Sequence, residues 1–141
     1  METQSFSNHV RVHPVYHYVA VPVSLALVLA GLLNLIFYFS LAAVILFIGM
    51  IILHLAIYLA RDYAKKNQDR IIRTESRLRY FELTGKRLKE IESHLAIGQL
   101  LALRFASDEE FVELIQDPET RKKKPEVIKH QIIQWNADWM R

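Results

Sequence analysis

The chain has 141 residues, no cysteine, and 18 Lys and Arg against 15 Asp and Glu, a formal net charge of +3. The missing thiols exclude disulfides, thiolate metal sites and cysteine nucleophiles. The charges are segregated: residues 1–60 carry only Glu2 and Arg11, so the remainder is nearly balanced, and net charge gives no reason to expect a nucleic-acid partner.

Residues 1–17 form a polar arm in which His9, His13 and His17 recur at every fourth position. On an unbroken helix these imidazoles would share one face, which makes them a candidate metal site. Pro14 biases His13 away from the helical region, so the helix is expected to start near Pro14. Tyr16 and Tyr18 then suit an arm lying among lipid headgroups, the alternative to metal binding.

From residue 18 to residue 60 there is no Lys, Arg, Asp or Glu. A bilayer crossing takes roughly 20 helical residues, so this stretch fits two crossings with little to spare. It is too long for the apolar region of a signal peptide and is expected to stay in the mature protein. The first span is predicted over about 18–38, with Pro22 in its first turns. Ala26, Ala30 and Gly31 supply a small patch for close helix contact, and Asn34 is expected to face another helix. Phe39 and Ser40 make the turn, so short that the spans must be antiparallel neighbours. The second span is predicted over about 41–59, with Ala42, Ala43 and Gly49 as its small residues. His54 is the candidate polar site within it, either functional or hydrogen-bonded to a backbone carbonyl or to Asn34. Basic residues follow at once (Arg61, Lys65, Lys66, Arg70, Arg73), which by the positive-inside rule puts both termini in the cytoplasm.

Residues 61–141 are read as a cytosolic helical domain. No Gly or Pro interrupts the chain before Gly85, so the second span is expected to continue as a polar helix to about Leu83. Along it Ala64, Ile71 and Leu78 alternate with Asn67, Thr74 and Phe81, a coiled-coil seam weakened by two polar members. Gly85 should cap this helix. A helix over about 86–94 then places Leu88, Ile91 and Leu95 on one face, and a short apolar helix contains Ile97, Leu100, Leu101, Leu103, Arg104 and Phe105. Ser107 and Glu110 make a capping box opening a helix with Phe111, Leu114 and Ile115, which stops at Asp117-Pro118. Arg121, Lys122, Lys123 and Lys124 form a basic run. With Arg61, Lys65 and Lys66 they are candidate contacts for lipid phosphates, the plain alternative being a solvated face. The last helix, over about 126–139, carries Ile128, Ile132, Trp135 and Trp139 and is read as a docking helix.

No Gly-rich phosphate loop and no recognisable grouping of Ser, His and Asp is present. The acidic run Asp108, Glu109 and Glu110 is explained by the helix macrodipole. No enzyme activity, cofactor or small-molecule substrate is therefore expected.

Four pieces of the chain resemble a bacterial family of small two-span membrane proteins of unknown function. They are Asn8-His9-x-Arg11-x-His13-Pro14-x-Tyr16-His17-Tyr18, Gln68-Asp69-Arg70-Ile71-Ile72-Arg73-x-Glu75-x-Arg77-Leu78-Arg79, Leu103-Arg104-Phe105-Ala106-Ser107-Asp108-Glu109-Glu110 and Ile133-x-Trp135-x-Ala137-Asp138. The resemblance implies a bacterial inner-membrane protein and carries no reaction or ligand with it. The expectation is an all-α, non-enzymatic membrane protein: a two-helix hairpin bearing a helical domain, in contact with membrane lipid and assembled as a homo-oligomer or within a larger membrane complex. A small oligomeric ion channel and a metal-dependent activity of the arm histidines are the competing readings.

Overall fold

The computed structural model describes residues 5–8 and 12–137, so His9 and Trp139 lie outside the described residues. Regular structure among them is helical, apart from an isolated bridge between Ala106 and Trp135. The chain forms two compact units, one of Val12–Lys66 and one of Met1–Arg11 with Asn67–Arg141.

In the first unit the helix begins at Pro14, where the locked φ of proline suits a first turn. Residues Val15–Ala20 form a wide π-helical segment, closed by a bond from the Val21 N–H to the Tyr16 carbonyl, and α1 follows over Val21–Phe37. Pro22 is thus interior to a continuous helical run rather than in its opening turns. A proline ring in that position cannot donate and crowds the carbonyl four residues earlier, and a widened turn absorbs the conflict. Tyr38 leaves helical geometry, and the Ser40 hydroxyl accepts the Ala43 amide at 3.1 Å to cap α2, which runs over Leu41–Thr84. Gly85, at φ +69°, ends it in the left-handed conformation that glycine adopts without a steric penalty.

The two helices meet along residues spaced alternately four and three apart: Ser24, Val28, Gly31 and Leu35 on α1, and Ala43, Phe47, Met50 and His54 on α2, all buried or half-buried. Contacts step down α1 as they step up α2. Gly31 lies against Phe47 and Met50, Ser24 bonds His54, and Tyr16 lies under Arg61. A methyl group at Gly31 would come within 2.6 Å of the Met50 sulfur, so the absent side chain sets this approach. Ala26, Ala30, Ala42 and Gly49 fall off the seam and are exposed, which corrects the expected small patch to Ser24, Gly31 and Ala43.

Both apolar helices are long enough to cross a membrane, and in their most apolar stretches only 11% and 6% of the residues are buried. Leu25, Leu29, Leu33 and Ile36 on α1, and Ile45, Ile52, Leu55 and Leu59 on α2, all point outward. A core helix of a water-soluble protein would have hidden such residues.

The second unit packs short helices on one stripe of α2. Ile72, Ser76 and Tyr80 are buried there, one turn apart. Beyond Gly85 come α3 (Lys89–Glu92), α4 (Ile97–Leu103), α5 (Asp108–Gln116), a 3-10 turn (Thr120–Lys122) and α6 (Pro125–Gln131). Tyr80, Leu88, Leu95, Leu100, Leu103, Phe105, Phe111, Ile115, Ile128 and Ile132 form one core. Phe105 and Phe111 are fully enclosed by it.

The buried Glu92 carboxylate takes the Arg77 Nε at 2.6 Å and the Arg73 Nε at 3.3 Å. That hydrogen bond, with the attraction of the charge, holds the Arg77 guanidinium above its usual pKa. Arg79 bonds the Asp108 carboxylate at 2.8 Å and the Ala106 carbonyl at 2.7 Å. Gln99 accepts the Ala96 amide at 2.8 Å and donates to the carbonyls of Thr120, Arg121 and Lys123. One side chain therefore pins the whole turn against α4.

The end of the chain departs from expectation. The helix predicted to reach residue 139 stops at Gln131, and Ile132 is extended. The Asn136 amide donates to the Phe105 carbonyl at 2.7 Å, and the Glu110 carboxylate accepts the amides of Ile133 at 3.0 Å and Gln134 at 3.2 Å. Amides satisfied in this way cannot continue a helix. The capping box is correspondingly only half formed: Ser107 Oγ accepts the Glu110 amide, but the Glu110 side chain holds the C-terminal segment.

Glu110→Ala removes the acceptor of both amides. It is expected to speed hydrogen exchange at Ile133 and Gln134 by at least about tenfold while lowering stability by about 1–3 kcal/mol. Unchanged protection at those two amides would show that the carboxylate does not hold the segment.

Candidate functional site

His54 stands one helical turn after Met50 on the seam of α2, opposite Ser24 of α1, and the imidazole Nδ1 lies 2.9 Å from Ser24 Oγ. The Ser24 hydroxyl also donates to the Val21 carbonyl at 3.0 Å. A hydroxyl has one proton, so with that proton on Val21 the Ser24 lone pairs accept from an Nδ1–H. In that arrangement the ring takes the Nδ1–H tautomer. Asn34 is exposed, and the partner given to His54 is Ser24. Sequence reasoning passed over Ser24 because serine is ordinary in an apolar helix. The alternation of four and three would have found it, since residues 24 and 31 on α1 face the phase of 47, 50 and 54 on α2.

About two helical turns beyond the Ser24–His54 contact, at the end of the unit away from the Ser40 turn, Tyr16, His17, Tyr58, Arg61, Asp62 and Lys65 line a concavity of about 240 Å³. The Arg61 guanidinium sits 5.5 Å over the Tyr16 ring, and His17 packs edge-on against the same ring at 5.0 Å. Asp62 pairs with Lys66 at 2.8 Å. The hydrogen bond from Lys66 holds the Asp62 carboxyl below its usual range, and Asp62 in turn raises Lys66. Of the three basic residues singled out here, Lys66 is thus engaged by a carboxylate, while Arg61 and Lys65 line the concavity. Amphipathic rings beside cations form the kind of surface that sits at lipid headgroups.

The second basic run belongs to the other unit. Lys122 pairs with Glu119 at 2.6 Å and Lys123 approaches Asp117 at 3.7 Å. The Asp117 carboxyl is held below its usual range, first by the amide of Glu119 and then by Lys123 and Thr120. Arg121 is half-buried and Lys124 exposed. A run that looked four charges strong is therefore partly neutralised by its own turn.

His13 caps the helix: its Nδ1 accepts the Tyr16 amide at 3.3 Å. Among the described residues no three metal-ligating side chains converge. Ile128 and Ile132 are buried in the core of their own unit, and Trp135 stacks at 4.9 Å on Phe105, so the described part of the expected docking helix docks within the chain.

No curated protein and no solved structure matches this chain. A family does: over residues 1–141 the chain matches DUF6526, a family of unknown function, and it belongs to that family.

Proposed function

We propose that this protein is a non-enzymatic bilayer anchor that holds a small helical domain at the cytoplasmic face of a bacterial inner membrane, as a homo-oligomer or part of a larger membrane complex. The observation that carries this reading is the outward-facing apolar surface of α1 and of the first half of α2, with Ser24 and His54 turned into the seam between them. The 23 residues of Val15–Phe37 extend about 35 Å at 1.5 Å per residue, against a hydrocarbon thickness of about 30 Å. Backbone groups in such helices are satisfied internally, as hydrocarbon demands. The ring of Tyr16, His17, Tyr58, Arg61 and Lys65 supplies the interfacial groups, and Phe37, Tyr38 and Phe39 supply aromatics at the far turn. In this arrangement the uncharged turn at Ser40 is the only part to reach the outside.

Two measurements test the reading. A cysteine replacing Ser40 is expected to react from outside with a membrane-impermeant maleimide, and one replacing the exposed Glu119 is expected to react only after lysis. The reverse pattern rejects the orientation, and recovery of the chain in the soluble fraction rejects the anchor.

The Ser24–His54 bond decides between an anchor and a pore. In an anchor it is a seam contact, with an expected coupling of about 0.6 kcal/mol in a cycle of Ser24→Ala and His54→Leu, the usual size for hydrogen bonds between membrane helices. A pH-dependent ion current through the purified protein in planar bilayers, abolished by His54→Leu, would make the helix pair a channel instead.

A further inference from the structure

The part of α2 that lies in the second unit has two faces. One buries Ile72, Ser76 and Tyr80 against the short helices. At 3.6 residues per turn the opposite face is the series Asn67, Ile71, Thr74, Leu78 and Phe81, spaced four, three, four and three apart. All five are exposed, with Ile71 and Leu78 at 57% and Phe81 at 53%. The helical domain thus takes up the side of α2 away from this series and leaves an a/d seam open along its length.

We infer that this face is the contact with a second copy of the same chain, in a parallel two-stranded coiled coil with Ile71 and Leu78 at a positions and Asn67, Thr74 and Phe81 at d positions. The flanking charges select the occupant. In this register Arg70 and Arg77 occupy g, and Glu75 and Glu82 occupy e. A parallel pair sets each g residue against the e residue five positions on in its partner, which places Arg70 opposite Glu75 and Arg77 opposite Glu82, on both sides of the seam. An antiparallel pair would set arginine against arginine and glutamate against glutamate, so the same charges oppose that alternative. All four side chains are exposed; Arg77 is also held by Glu92 through both Nε and Nη2, so the Arg70–Glu75 pair carries the selection, and among the described residues no ion pair ties Arg70 to the domain. The parallel sense also rests on the proposed anchorage, because two chains tethered in one bilayer present α2 in the same direction. Asn67 and Thr74 lower the affinity of so short a seam and fix its register. Confinement to a membrane supplies the effective concentration that a weak seam needs.

The absence of cysteine in the chain makes the test direct. Identical a residues face each other across a parallel two-fold axis, so full-length protein in nanodiscs carrying Ile71→Cys or Leu78→Cys is expected to form disulfide dimers under copper-phenanthroline. The same protein carrying Glu113→Cys, on the exposed side of α5, is expected to remain monomeric on denaturing gels. Both seam positions are exposed, so these substitutions leave the core intact, which circular dichroism checks. Arg70→Glu should lower the yield of the Leu78→Cys dimer severalfold, and adding Glu75→Arg should restore it.

Cross-linking that is absent at 71 and 78, or equal at 113, overturns the inference, as does failure of the double reversal to restore the yield. Such results assign the face to a different partner and leave the anchor reading standing. Seam cross-links together with recovery of the chain in the soluble fraction would keep the dimer and remove the anchor.

Discussion

The core of the second unit is completed by one stripe of α2. A small domain has a marginal core of its own, and an additional surface or staple strengthens it. Tyr80 provides the surface, entering the core and accepting a bond from Gln116 at its hydroxyl. Arg73, Arg77 and Arg79 provide the staples, through Glu92, Asp108 and the Ala106 carbonyl. The Glu92 contacts are the most demanding of these. A carboxylate buried in this way is tolerable only while both guanidinium groups stay in place, so the position of α3 is set by α2 and not by its own single turn.

That dependence accounts for the division between what could and what could not be read from sequence. Features written locally were legible: the charge-free stretch, the glycine stop at residue 85, the Ser107 cap, and the apolar spacing of Leu88 and Leu95. Each follows from a solvent or backbone requirement acting on neighbouring residues. Features settled by distant partners were not. Glu110 has the spacing to reach back to its own N-cap, but the amides of Ile133 and Gln134 claim it. The amphipathic pattern after Pro125 suits a long helix, but pairing of Trp135 with Ala106 stops it. The small residues of the apolar helices were visible without the phase that decides which of them meet, so Ala26 and Ala30 were favoured over Ser24.

The candidate site was legible to a similar depth. His54 stood out because imidazole is rare in an apolar helix, whereas its partner is a serine that composition does not distinguish. The basic residues stood out as well, but their effective charge depended on acidic neighbours. Asp62 engages Lys66, and Asp117 and Glu119 engage Lys123 and Lys122. Counting cations along the sequence overstates what a surface presents to an anion, and the concavity that joins Arg61 and Lys65 to Tyr16 and Tyr58 is assembled across two helices.

Gln99 carries a consequence for how this chain can vary. Its amide grips the carbonyls of Thr120, Arg121 and Lys123, which every amino acid possesses. The turn is thus recognised through its backbone and is indifferent to most of its side chains, so exposed positions such as Lys122 and Lys124 are free to change their charge at little expense to the fold. Length is another matter: one inserted residue would shift the carbonyl row out of reach of the amide. Substitution there retunes surface chemistry, whereas insertion undoes the architecture.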